Sequence, residues 1–152
     1  MKKHLWIGSL CIAFCLSAGC ATRPDTRAPV EYFSEGNGEP YSAAVRVGDV
    51  LYLTGQVGMH PDGSIPNGIE AQTRLAMENL AATMKSHGGS MDDVFNCTVM
   101  LDDISKWPEF NKIYASFFTP GRLPARSSFA TAGMSLGLLV EVVCQAYSPD
   151  KT

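Results

Sequence analysis

The sequence predicts an α+β domain, a two-layer sandwich in which two helices cover one face of a mixed sheet. Three observations predict it. Two stretches, 69–86 and 106–118, repeat apolar residues at steps of three and four, the period of a helix with one buried face. Five shorter runs, most of them rich in Val, Leu and Tyr, are bounded by Gly, Pro and Asp, as strands and turns are. The chain has 152 residues, 45% of them hydrophobic and 18% charged, which is the size and composition of one globular domain and excludes a disordered chain or a multidomain machine.

The elements follow in the order β-β-α-β-α-β-β. Ala43–Val47 and Val50–Gln56 read as a hairpin turning at Gly48-Asp49. Met59 to Ser64 is a turn set by Pro61 and Gly63, with His60 a solvated loop residue. In the first helix, Ile69, Thr73, Ala76, Met77, Leu80 and Met84 share one face, and His87-Gly88-Gly89 ends it. Met77 and Met84 fill core space. Val94–Leu101 is the third strand. The second helix, Lys106–Phe118, buries Phe110, Ile113, Tyr114, Phe117 and Phe118; Asp102 or Ser105 is expected to cap it, and Thr119-Pro120-Gly121 breaks it. Ser127–Ala130 and Leu138–Tyr147 are the last strands. In the final one, Leu138, Val140, Val142, Cys144 and Ala146 form a wholly apolar row that suits the helices. The opposite row, Leu139, Glu141, Val143, Gln145 and Tyr147, is too apolar for free solvent yet holds a carboxylate, which fits an intersubunit surface with a site in it.

Residues 1–20 read as an export leader. A basic start, Met1-Lys2-Lys3-His4, precedes an apolar run from Leu5 to Leu16, too short for the ~20 residues of a bilayer-spanning helix. Small residues Ser17-Ala18-Gly19 then precede Cys20, which resembles a bacterial lipobox with Cys20 as the lipidation site; Ala21 in place of Asp resembles the outer-membrane sorting signal. The expected location is periplasmic, lipid-anchored to the outer membrane, with residues 21–36 as a tether and 37–148 as the domain. Beyond the leader stand ten basic residues against fifteen acidic ones, and the bases are scattered, which argues against nucleic acid as a partner. Cys97 and Cys144 each sit in an apolar strand-like run and read as buried free thiols, able to bridge only if their strands are neighbours. With His60 and His87 the only histidines beyond the leader and no C-x-x-C, neither a metal site nor a cofactor is expected.

Arg126, in Pro124-Ala125-Arg126-Ser127-Ser128, stands at a strand entry among small residues, where a planar guanidinium can clamp a carboxylate. Glu141 follows on the next strand. If those strands pair across the Ala132–Gly137 connection, the two residues form either a salt bridge or a carboxylate clamp beside a general base. No nucleophile elbow, phosphate-binding loop or dinucleotide fingerprint occurs.

From Pro40 to Tyr147 the chain resembles the reactive intermediate deaminase family, also called Rid or YjgF. The matching motifs are Pro40-Tyr41-Ser42, Leu53-Thr54-Gly55-Gln56, Gly68-Ile69-Glu70-Ala71-Gln72-Thr73-Arg74, Glu78-Asn79-Leu80, the stretch Phe110 to Phe118, Pro124-Ala125-Arg126-Ser127 and Val140-Glu141-Val142. The resemblance implies a chorismate-mutase-like fold and a homotrimer with sites between subunits. It also implies hydrolysis of 2-enamine or 2-imine acids, such as 2-aminoacrylate, to 2-keto acids and ammonia. Arg126 matches the carboxylate-binding residue, Glu141 the acid that activates water, and Tyr41, Thr54, Gly55 and Asn111 the pocket lining. A non-catalytic small-carboxylate-binding module of the same fold is the alternative; a ribonuclease activity, attributed to some relatives, fits the acidic balance poorly. Departures are Ser128 where a cysteine is common, Val143 where a second acid is common, Gly133-Met134-Ser135 in place of a Leu-Pro turn, and Glu39 before Pro40.

Overall fold

Among the described residues, seven strands and two α-helices follow in the order β1 (Val30–Phe33), β2 (Ala44–Val47), β3 (Val50–Leu53), β4 (Gln56–Val57), α1 (Ile69–Ser86), β5 (Val94–Leu101), α2 (Trp107–Ala115), β6 (Ala125–Ala130) and β7 (Val140–Tyr147). This computed structural model describes residues 28–149 apart from 35 and 37. The leader, Cys20 and the tether up to residue 27 lie outside the described residues. Val30–Phe33, at the end of the stretch read as tether, is a strand: Val30 pairs with Val47 and Phe33 with Ala44. Three of its four side chains are exposed, so its sequence carries no buried stripe to betray it.

The strands form one mixed sheet in the order β1-β2-β3-β7-β5-β6, with β4 also paired to β7. The expected second strand divides at Thr54-Gly55 into β3 and β4, which meet different stretches of β7. The helices cover one face. α1 spans the predicted residues and buries Thr73, Ala76, Met77, Leu80 and Met84, along with Gln72. Opposite them lie Leu51, Val99, Leu101, Val140, Val142 and Ala146, all without solvent exposure. α2 is shorter than expected. A single 3-10 turn precedes it, and the cap falls on Asp103, whose carboxylate accepts from the Ser105 N–H at 2.8 Å. Asp102 instead pairs with Lys106 at 2.6 Å.

Two adjacencies differ from expectation. β6 does not pair with β7, because β5 lies between them, parallel to β6 and antiparallel to β7. The same central position brings Cys97 of β5 directly opposite Cys144 of β7, and the two form a disulfide. The free-thiol reading is thereby corrected: each strand looks apolar alone, and only their pairing joins the sulfurs. A bridge across 47 residues restricts the unfolded chain, an effect of roughly 2–4 kcal/mol. The paired variant Cys97→Ala/Cys144→Ala is therefore expected to lose about that much stability in non-reducing denaturant titrations, and reductant is expected to narrow its gap from the wild type. Equal stability of variant and wild type under oxidising conditions contradicts the bridge.

Candidate active site

Side-chain alternation along the central strands divides the candidate residues between the two faces of the sheet. Arg126 pairs with Cys97, so its side chain leaves on the helix side. Glu141 pairs with Met100 and lies three residues from Cys144, so its side chain leaves on the open side. Within one chain the expected clamp does not form. The intervening β5 separates the strands, and the odd spacing from Cys144 inverts the face.

On the helix side, Arg126 lies under α2. Its Nη2 donates to Asn111 Oδ1 at 2.8 Å. Its guanidinium carbon stands 4.6 Å from the centre of the Tyr114 ring, 5.5 Å from Trp107 and 5.6 Å from Phe110. Aromatic faces attract a cation without neutralising it. Among the described residues Arg126 has no carboxylate partner. The charge is held in place and left unsatisfied. Tyr114 shares this environment: its hydroxyl is buried with no hydrogen-bond partner, and burial pushes the phenol up to about 12 against the opposing pull of Arg126. Tyr114 was legible only as a member of an apolar helix stripe, and Trp107 lay outside that stripe; nothing in their spacing marks them as walls around an arginine.

On the open side, Glu141 rests against Gly55. A Cβ built at Gly55 collides with Oε1 of Glu141 and comes within 2.7 Å of its Cδ, so only glycine leaves this seat open. Glu141 is half-buried and has neither an ion-pair nor a hydrogen-bond partner among the described residues. Thr54 precedes Gly55, its N–H bonded to the Ala43 carbonyl at 3.0 Å. Tyr41, Thr54 and Gly55 line a cleft of about 510 Å³ with Gln56, Asn79 and Thr83. Neither Arg126, Asn111 nor Glu141 lines that cleft. The structure thus keeps three groups apart: Asn111 with Arg126 under α2, Glu141 against Gly55 on the open side, and Tyr41 with Thr54 in the cleft beside α1.

The open face around Glu141 is apolar over much of its area. Pairing places Val45, Tyr52, Val143, Met100 and Phe129 on it, and Tyr52 and Phe129 are 45% and 47% exposed. No Lys or Arg from the strands projects there.

Comparison with known proteins agrees with this architecture. A model of the family described as Endoribonuclease L-PSP matches residues 36–148. The mouse protein named 2-iminobutanoate/2-iminopropanoate deaminase is 35% identical over 105 residues, covering 68% of this chain and 77% of its own. A RutC family protein of Pyrococcus horikoshii is 34% identical over 110 residues, 71% of this chain and 86% of its own. Among solved structures, RidA from the Antarctic bacterium Psychrobacter superposes with a TM-score of 0.68 at 32% identity, covering 72% of this chain and 89% of that one. Yeast Mmf1 superposes with a TM-score of 0.72 at 25% identity, covering 79% and 99%. With a family match that spans most of its length and a fold shared with RidA, the chain belongs to the Endoribonuclease L-PSP family, which includes the Rid (YjgF) proteins.

Proposed function

We propose that this chain is a hydrolytic deaminase of 2-enamine and 2-imine acids, converting substrates such as 2-aminoacrylate and its imine to 2-keto acids and ammonia. One observation carries the reading. The guanidinium of Arg126 and the carboxylate of Glu141 have no opposite charge beside them among the described residues of the same chain. A family relative is named for deamination of 2-iminobutanoate and 2-iminopropanoate, acids whose carboxylate is what a caged arginine would grip.

The proposed site lies between copies of the chain, Arg126 of one facing Glu141 and Gly55 of the next. The apolar open face supports such an assembly, and a homotrimer is the expected form. There the substrate carboxylate docks on Arg126, which Asn111 orients. The imine carbon stands beside a water held by Glu141. Glu141 takes a proton from that water as its oxygen adds to the C=N carbon. The nitrogen takes up that proton, giving the tetrahedral amino alcohol; Glu141 then carries the hydroxyl proton to the nitrogen, the C–N bond breaks, and the keto acid and ammonia leave. Free imines hydrolyse readily, so positioning and one general base meet the catalytic demand. None of these steps calls for a metal or organic cofactor.

The location proposed is the periplasmic side of the outer membrane, anchored through Cys20. The Cys97–Cys144 bridge supports an oxidising compartment, since disulfides rarely persist in the cytosol.

Keto-acid and ammonia release from freshly generated 2-aminoacrylate tests the activity. Glu141→Gln is expected to lower kcat by about 10²–10⁴-fold, the usual contribution of a general base. Arg126→Ala is expected to raise KM by about 30-fold or more, as loss of a desolvated charge partner does. Wild-type rates equal to those of Arg126→Ala contradict the reading, and ligand binding without turnover identifies a carboxylate-binding module instead. For the anchor, Cys20→Ala is expected to move the protein from the membrane pellet to the soluble periplasmic fraction; an unchanged distribution removes the lipid.

A further inference from the structure

Two motifs, Gly68 to Arg74 and Glu78 to Leu80, resemble the family without having an evident chemical task. Each contributes one amide, Gln72 and Asn79, seven residues apart and so on one face of α1. Gln72 is 3% exposed. Its Oε1 accepts from the Leu139 N–H at 2.8 Å. Its Nε2 donates to the Gly137 carbonyl at 3.3 Å and the Pro66 carbonyl at 3.1 Å. The turn it grips includes Leu136 at φ 59, a backbone conformation that residues other than glycine avoid. Two residues beyond Leu139 stands Glu141.

Asn79 acts on the other flank. Its Nδ2 donates to the Val57 carbonyl at 2.9 Å and the Met59 carbonyl at 3.0 Å. Val57 is the residue of β4 paired with Glu141. Between Val57 and Met59, Gly58 presses on α1 so closely that an added Cβ would stand 2.5 Å from the Gln72 Cα. The two amides therefore fasten both backbone segments that meet at Glu141, the turn leading into β7 and the short strand beside it. Burying an amide among the apolar residues of α1 is costly unless every bond is made, and an apolar side chain would serve packing alone better.

We propose that Gln72 and Asn79 are positioning residues for Glu141, holding its carboxylate over Gly55 where the reacting water must sit. The claim about rate rests on the deaminase reading; the claim about placement does not. Gln72→Leu is expected to lower kcat by about 10-fold or more while KM stays within about threefold, because a misplaced base slows the chemical step and leaves the Arg126 grip intact. Leu80→Ala, a buried residue of the same helix, serves as the stability control: it is expected to lower Tm at least as far while kcat stays within about twofold. A Gln72→Leu kcat close to wild type overturns the proposal, and so does an equal loss in Leu80→Ala. If wild type turns over no imine, the deaminase reading fails on its own, and a crystal structure of Gln72→Leu decides the placement. Displacement of the Glu141 carboxylate from Gly55 supports the proposal; an unmoved carboxylate overturns it.

Discussion

The position of β5 between β6 and β7 governs the rest of the molecule. A strand sends successive side chains to opposite faces, so the register on either side of β5 decides where each charge emerges. Cys97 is opposite Arg126 on one side and Cys144 on the other, which puts the guanidinium under the helices. Glu141, an odd number of residues before Cys144, emerges on the far side. The disulfide ties β5 to β7 at this row and holds that register against slippage. The two charges consequently cannot neutralise each other within a chain.

Each charge is instead prepared separately. Aromatic rings and an amide hold Arg126 without cancelling its charge, while Gly55 leaves room for a Glu141 carboxylate that has no partner among the described residues, and the amides of α1 fasten the backbone on either side of it. Preorganisation of this kind lowers the reorganisation needed when substrate binds. It costs stability locally, because an unpaired buried or half-buried charge gains nothing from folding. The assembly proposed above brings the two prepared halves together and covers the apolar open face in the same step.

Features that depend on one segment alone were legible in the sequence. The period of Ile69–Ser86 marked a helix with the face it buries, and the alternation in β7 separated an inner apolar row from an outer one that includes Glu141. Features that depend on which segments are neighbours were not. The short Ala132–Gly137 connection made β6 and β7 look like partners, whereas β6 crosses to the far side of β5 by way of α2. That single adjacency also hid the cysteine pairing and the division of the site. β1 was missed for a different reason: its mostly exposed residues follow two prolines, and its pairing to β2 is what makes it a strand. Gln72 and Asn79 were visible as motif residues, but their task appears only once the loops they bind are in place.

The central claim is that a working site takes its arginine from one copy and its glutamate from another. Mixed assembly tests it directly: Arg126→Ala and Glu141→Gln chains, each strongly impaired alone at substrate well below the wild-type KM, are unfolded together with reductant, refolded in equal amounts under oxidising conditions and assayed for imine hydrolysis at that concentration. Shared sites predict recovery of about one-quarter of wild-type activity, since a random ring places an intact arginine beside an intact glutamate at that fraction of its interfaces. Activity no greater than the sum of the two variants would contradict the account.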